Sequence, residues 1–224
     1  MSNYILLSNK SWNDALFDEL KGSSDNWTRI RTKEEFTPEN LKEIAPDKIF
    51  IPHWSHIIPV EIYNNYECVV FHMTDLPFGR GGSPLQNLIT RGHNDTKISA
   101  LKVADGLDTG EIYLKKDLSL LGTAEEIFLR TSLIISEMIK EIVDLDLKPV
   151  PQEGTVTEFK RRKKEDSDIS KLNEITEVYD YIRMLDAEGY PKAYLDMGDF
   201  RLEFSRASLK IGENIIADVR IFKK

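Results

Sequence analysis

Two apolar runs, each ending in a turn-rich loop that carries one ionisable side chain, constrain the fold of this chain more than any other feature. Residues 68–72 (Cys-Val-Val-Phe-His) deliver His72 into a loop at 75–82 that reads Asp-Leu-Pro-Phe-Gly-Arg-Gly-Gly. Further on, residues 98–103 lead into Asp-Gly-Leu-Asp-Thr-Gly at 105–110, which carries Asp108. In an open α/β sheet, loops at the carboxyl ends of the strands form the ligand crevice. A histidine with a carboxylate partner is the simplest device for moving a proton near neutral pH. The expectation is a sheet whose loops bring His72 and Asp108 into one site.

The pattern around these runs alternates. Residues 4–8 are a short apolar run, read as a buried first strand. Residues 9–20 follow as a helix with Trp12, Leu16 and Leu20 on one face. The joining turn, Ser-Asn-Lys-Ser at 8–11, has no glycine. A dinucleotide fingerprint is therefore missing, which counts against a nicotinamide or flavin enzyme. Short strands are expected at 27–31 and 47–51, with a helix start between them at Thr37 and Pro38. A short helix is expected at 59–63, another at 83–91 stopped by Gly92, and strands at 98–103 and 111–114. Residues 123–143 carry the clearest helical signal: Thr123 and Glu126 form a capping box, and Ile127, Ile134, Ile135, Met138 and Ile142 share a face. Such alternation predicts an α/β, Rossmann-like fold with a mostly parallel, doubly wound sheet. Pro149 and Pro151 mark a boundary. It separates a catalytic domain over 1–148 from a small α+β extension over 149–224, too short for its own core and so expected to pack on the first. Within the extension, 169–187 reads as a helix and 193–195, 200–205 and 215–222 as strands.

A formal charge of −8 argues against a nucleic-acid partner, since phosphate contacts need a basic face. A small anion remains compatible with it, because a local Arg/Lys cluster suffices. The one cysteine, Cys68, lies in an apolar run and reads as a buried thiol. No window is apolar enough for a membrane span and the amino terminus lacks a signal-peptide pattern, so the expectation is a cytoplasmic chain with no membrane partner.

Residues 72–77 (His-Met-Thr-Asp-Leu-Pro) and 105–110 resemble the formyltransferase family that uses 10-formyltetrahydrofolate. Its usual patterns are Asn-x-His-x-x-Leu-Leu-Pro-x-x-x-Gly and Asp-x-Gly-Leu-Asp-Thr-Gly. The resemblance implies 10-formyltetrahydrofolate as co-substrate and no metal. It implies that His72 accepts the amine proton or stabilises the oxyanion, with Asp108 orienting it. Asp105 fits a turn aspartate equally well. Asp75, Leu76 and Pro77 are expected along the folate's aminobenzoate, and Val103, Ala104, Asp105 and Gly106 at the pterin edge, through exposed main chain. Trp54, in the His-Trp-Ser-His segment at 53–56, is expected to line the same crevice. One departure stands out. The family's asparagine two residues before the histidine is Val70 here. Residues i and i+2 of a strand share a face, so a donor is missing beside His72. Asn87, His53, Ser55 and His56 are the candidates to replace it. Asn87 is taken as the catalytic one, with His53, Ser55 and Arg80 toward the substrate, while loop filling remains the alternative for the two histidines.

Residues 160–164 (Lys-Arg-Arg-Lys-Lys) are either a solvated charge run or, through Arg161 and Arg162, an anion site. Together with Gln-Glu-Gly at 152–154 and Glu-Asp-Ser at 165–167, this stretch resembles the segment that follows the catalytic domain in sugar N-formyltransferases. Family members acting on tRNA carry a longer, tRNA-binding C-terminal domain. The expectation is therefore an N-formyltransferase acting on an amine of an activated, nucleotide-linked amino sugar, in surface-polysaccharide or nonulosonic-acid synthesis. Its partner is a small molecule, with homodimer formation left open. The rivals are a glycinamide-ribonucleotide-like formyltransferase, a hydrolase of formyl-folate, and a catalytically silent relative that binds folate or a sugar nucleotide.

Overall fold

The computed structural model of the chain describes residues 1–211 and 214–224. In chain order its elements are β1 (Asn3–Ser8), α1 (Asp14–Lys21), β2 (Asn26–Ile30), α2 (Pro38–Ile44), β3 (Lys48–His53), α3 (Val60–Tyr63), β4 (Glu67–His72), β5 (Arg80–Gly81) and α4 (Pro84–Ile89). They continue as β6 (Asp95–Lys102), β7 (Ile112–Ser119), α5 (Ala124–Asp144), β8 (Glu158–Phe159), α6 (Ile175–Arg183), β9 (Ala193–Met197), β10 (Phe200–Lys210) and β11 (Asn214–Lys223). Two compact units form. One holds Met1–Gly81, Thr96–Leu118 and Leu129–Glu158; the other holds Gly82–Asp95, Ser119–Phe128 and Phe159–Lys224. Each is assembled from three stretches, whereas the prolines at 149 and 151 cut the chain once.

The first unit is built on a six-stranded sheet in the order β2-β1-β3-β4-β6-β7. β1 pairs in parallel with β2 and β3, and β3 with β4. The mostly parallel α/β expectation holds. The physical reason is visible in β1 and β3, whose Ile5, Leu6, Leu7, Ile49, Phe50 and Ile51 are buried on both faces. Parallel strands covered on both sides need such unbroken apolar runs. Cys68 joins the same core, and burial, then the neighbouring Glu67, push its thiol up to about 12. Thr37 caps α2 as expected, accepting from Asn40 N–H at 3.3 Å.

β6 brings a correction. It runs antiparallel to β4, with Val69 opposite Lys102 and His72 opposite Ser99. The chain therefore leaves β4 and β6 at opposite ends of the pair, and their loops do not emerge side by side. They meet because the segment after β4 turns back on itself. Ser99 Oγ accepts the Leu76 N–H at 3.2 Å and donates to Thr74 O at 2.7 Å. β6 also begins earlier than residue 98 and β7 runs to Ser119, past residue 114.

In the second unit, β9, β10 and β11 form an antiparallel sheet. The helix expected over 169–187 is shorter, Ile175–Arg183. Ahead of it, Ile169 N–H donates to Tyr194 O at 2.9 Å, a strand-like tie that takes Ile169 out of any helix. Buried Arg183 donates to Leu120 O and Gly122 O at 2.6 and 3.0 Å and pairs with Asp180. Among the described residues no helix is long and apolar enough to cross a membrane.

The capping box ahead of α5 forms as read. Thr123 N–H donates to Glu126 at 2.8 Å, and Glu126 N–H returns a bond to Thr123 Oγ1 at 3.3 Å. Thr123→Ala should cost about 1 kcal/mol in a urea melt. A change below a few tenths would mean that packing alone starts this helix.

Candidate active site

His72 ends β4, the central parallel strand next to β6. Its ring is buried, and Nε2 lies 2.8 Å from Gly79 O. A carbonyl only accepts, so Nε2 carries a hydrogen and Nδ1 is the atom left to take up a proton. Nδ1 faces Asp108 Oδ2 at 3.5 Å. This is longer than a hydrogen bond, yet close enough for the carboxylate to stabilise a positive ring. The two residues singled out from the motifs therefore stand together.

Asp108 owes its position to its backbone. Its φ is +53°, a left-handed conformation that aspartate tolerates better than most side chains. Two residues on, a Cβ at Gly110 would stand 1.7 Å from Lys102 O. Only glycine lets the returning chain pass the last residue of β6 so closely. The carboxylate is then fixed by Gly81 N–H, which donates to Oδ2 at 2.8 Å. Gln152 Nε2 holds the turn's main chain at Asp108 O and Gly110 O, both at 2.8 Å. No motif pointed to this role of Gln152. The only signal was its place in the quoted Gln-Glu-Gly segment.

The remaining candidates fall in different places. Arg80 spends its guanidinium on Gln152 Oε1, at 3.2 and 2.8 Å. Leu76 is fully buried against Leu101 and Ile112, Pro77 is buried, and exposed Asp75 pairs with Lys115. Half-buried Trp54, Val70 and Val103 pack on one apolar cluster, while Ala104, Asp105 and Gly106 are exposed. Ser55 and His56 are exposed. His53 packs edge-on against Trp12, ring centroids 5.3 Å apart. Burial, with a smaller contribution from Lys10, brings its pKa down to about 4, so the ring is neutral at ordinary pH. The paired register of β3 and β4 ends at Ile51 and Val70, and His53 and His72 lie beyond it at the ends of their strands.

Asn87, Arg161 and Arg162 belong to the second unit. The Asn87 amide donates to Gly82 O, Ser83 O and Lys160 O within 3.0 Å, and its oxygen accepts from Arg91 at 2.8 Å. That hydrogen-bonding capacity is fully used inside the unit. Arg161 is exposed; Arg162 lies over Tyr181 at 5.0 Å and donates to Asp166 O. Among the described residues no three or more His, Cys, Asp or Glu side chains gather to hold a metal ion.

A family model described as formyl transferase matches residues 11–133, just over half of the chain. The chain belongs to the formyl transferase family, whose members are enzymes and whose formyl donor is 10-formyltetrahydrofolate. A second model, described as the C-terminal domain of methionyl-tRNA formyltransferase, matches residues 164–222. Over its full length the chain is similar to the solved methionyl-tRNA formyltransferase from Clostridium thermocellum: 55% identity, TM-score 0.97, 100% of both chains covered. Methionyl-tRNA formyltransferase from Thermodesulfovibrio yellowstonii is 27% identical over 190 residues, covering 81% of this chain and 61% of that protein. The first curated relatives are longer, the chain spanning 42% to 69% of their length. A sugar N-formyltransferase from a Shewanella species, 13% identical with a TM-score of 0.73, shares the fold.

These findings overturn the acceptor expected from the sequence. The amino sugar, the surface-polysaccharide or nonulosonic-acid context, the small-molecule partner and the exclusion of nucleic acid do not stand against a full-length match to a methionyl-tRNA formyltransferase. Two physical shortcuts produced the error. Net charge is a sum over the whole chain and says nothing about one face. The extension judged too short for a tRNA-type C-terminal domain is itself matched by the model of that domain.

Two outcomes follow from the geometry. Gly110→Ala forces the turn away from Lys102 and should cost at least about 1–3 kcal/mol in a thermal or urea melt, with turnover falling alongside. An unchanged melt would refute the close approach. His53 has a lowered folded-state pKa, so its contribution to stability is complete above the unfolded value of 6.5 and fades as pH falls toward about 4. Relative to His53→Gln, the wild-type chain should lose up to about 3 kcal/mol between pH 7 and 4. Parallel pH profiles of the two proteins would refute the burial.

Proposed function

We propose that this chain transfers the formyl group of 10-formyltetrahydrofolate to the amine of a methionyl-tRNA, in the cytoplasm. The observation that carries the reading is the 55% identity over 100% of both chains with the Clostridium thermocellum enzyme. The pairing of His72 with Asp108 supplies the chemistry. Trp54, Val70 and Val103 on one cluster, beside exposed main chain at 104–107, fit a flat heteroaromatic ring with a hydrogen-bonding edge.

In the proposed step the amine nitrogen adds to the formyl carbon, giving a tetrahedral oxyanion. The bond from that carbon to N10 breaks as the carbonyl reforms. His72 Nδ1 takes the proton the amine loses and returns it to N10 of the departing tetrahydrofolate, so no proton is gained or lost. Asp108 stabilises the ring while it is positive. Val70 leaves the oxyanion without the family's amide donor. His53 is the replacement we favour, because it ends the strand beside β4 and its ring is neutral at ordinary pH. Phosphate contacts fall to the basic run, where Lys160, Arg161, Lys163 and Lys164 are exposed.

The test is incubation with 10-formyltetrahydrofolate and methionyl-tRNA, followed by deacylation and mass detection of formyl-methionine, with free methionine as control. Formyl-methionine should appear from the charged tRNA only. His72→Ala and Asp108→Ala should each lower turnover by roughly 10²–10⁴ while a melt shows each variant still folded. Either folded variant working near the wild-type rate would remove it from the mechanism. Absence of product with wild-type protein that binds the donor would reject the acceptor.

A further inference from the structure

We propose that Gln152 is a positioning residue for Asp108, itself held in orientation by Arg80. The inference rests on the roles given above to His72 and Asp108. Gln152 reaches two partners of opposite kind. Its Nε2 donates to Asp108 O and Gly110 O, and its Oε1 accepts from Arg80 Nε and Nη2. A guanidinium only donates and a carbonyl only accepts, so the amide has one orientation. Arg80 is seated by its own main chain, whose N–H donates to Thr157 O at 2.9 Å. The next residue, Gly81, supplies the N–H that holds the Asp108 carboxylate. The two ends of the Asp108 turn and the strand opposite are thus tied through one side chain.

Chemistry narrows the residue to glutamine. Glutamate would keep Arg80 but turn a carboxylate oxygen against two carbonyls. Asparagine is one methylene short, and methionine offers neither donor nor acceptor. The turn needs holding because Asp108 sits at a φ of +53°, which an L-residue leaves readily when its partners are removed. Once Gln152 lets go, Asp108 Oδ2 drifts from His72 Nδ1 while the donor's apolar wall stays intact. The loss then appears in kcat and not in KM for the donor.

The experiment compares Gln152→Ala, Gln152→Glu, Asp108→Asn and the double variant Asp108→Asn/Gln152→Ala in the methionyl-tRNA assay, each checked by melting. Both Gln152 variants should lower kcat roughly 10–100-fold, the scale of a misplacement of about 1 Å, with the donor KM within about threefold. In the Asp108→Asn background, Gln152→Ala should cost nothing further. A Gln152→Glu variant with wild-type turnover would overturn the proposal, because donation to the turn would then be dispensable. Multiplying effects in the double variant would overturn it too, since Gln152 would be acting apart from Asp108. A second measurement needs no acceptor. The Gly81 amide proton, bonded to the Asp108 carboxylate, should move upfield by NMR in every one of these variants. An unmoved Gly81 resonance in Gln152→Ala would reject the clamp whatever the kinetics show. Failure of the underlying assignment looks different: Asp108→Asn alone would turn over normally.

Discussion

A single crowded contact, Gly110 against Lys102 O, governs the site. It lets the chain double back at the end of β6, so that Asp108 arrives in a left-handed turn with its carboxylate toward His72. Nothing in the side-chain packing of Asp108 would place it there. Its main chain is set by glycine, its carboxylate by the Gly81 N–H, and its carbonyl by Gln152. Backbone geometry therefore fixes this carboxylate without help from its own packing.

The histidine is fixed by the complementary device. Ser99 lies opposite His72 on an antiparallel neighbour, and its hydroxyl pulls the segment after β4 back over that neighbour. This brings Gly79 O to Nε2 and commits the proton on that nitrogen. Two loops that start at opposite ends of the β4–β6 pair therefore meet at one imidazole. A parallel β6 would have delivered the Asp108 loop directly to the end where His72 sits; with β6 antiparallel, the fold-back of the segment after β4 is what brings the two together.

The legible part of the sequence was the part encoded locally. Apolar runs such as Ile5–Leu7 and 49–51 announce buried strands, Thr123 and Glu126 a helix start, and Asp-Gly-Leu-Asp-Thr-Gly a turn carrying one carboxylate. Strand direction was not legible, since an apolar run reads the same in a parallel or an antiparallel pair. Ile169 and Leu172 continue the spacing of α6 yet stand outside it, because a backbone tie to Tyr194 overrides the periodicity. Gln152 bonds to a turn far away in the chain, and a side chain to main chain contact leaves no pattern along the sequence. Arg80 looked like a ligand residue for the same reason: its partner Gln152 is just as distant.

Charge shows the same limit in another form. Ionic screening cuts interactions off within about 8 Å at physiological salt, so a phosphate responds to the side chains around it and not to a formal sum of −8. The run at 160–164 is divided in its use. Arg162 is drawn into its own unit by Tyr181 and Asp166, while Lys160, Arg161, Lys163 and Lys164 face solvent. Asn87 belongs to the structural side of that division, because its amide donates to Lys160 O and fastens the start of the run to Gly82 and Ser83. A cationic strip tied down by its main chain leaves its side chains free to follow an irregular polyanion. A sugar diphosphate instead asks for a few guanidinium groups locked in place. The arrangement of this segment thus suits the polyanionic acceptor proposed above better than a sugar diphosphate.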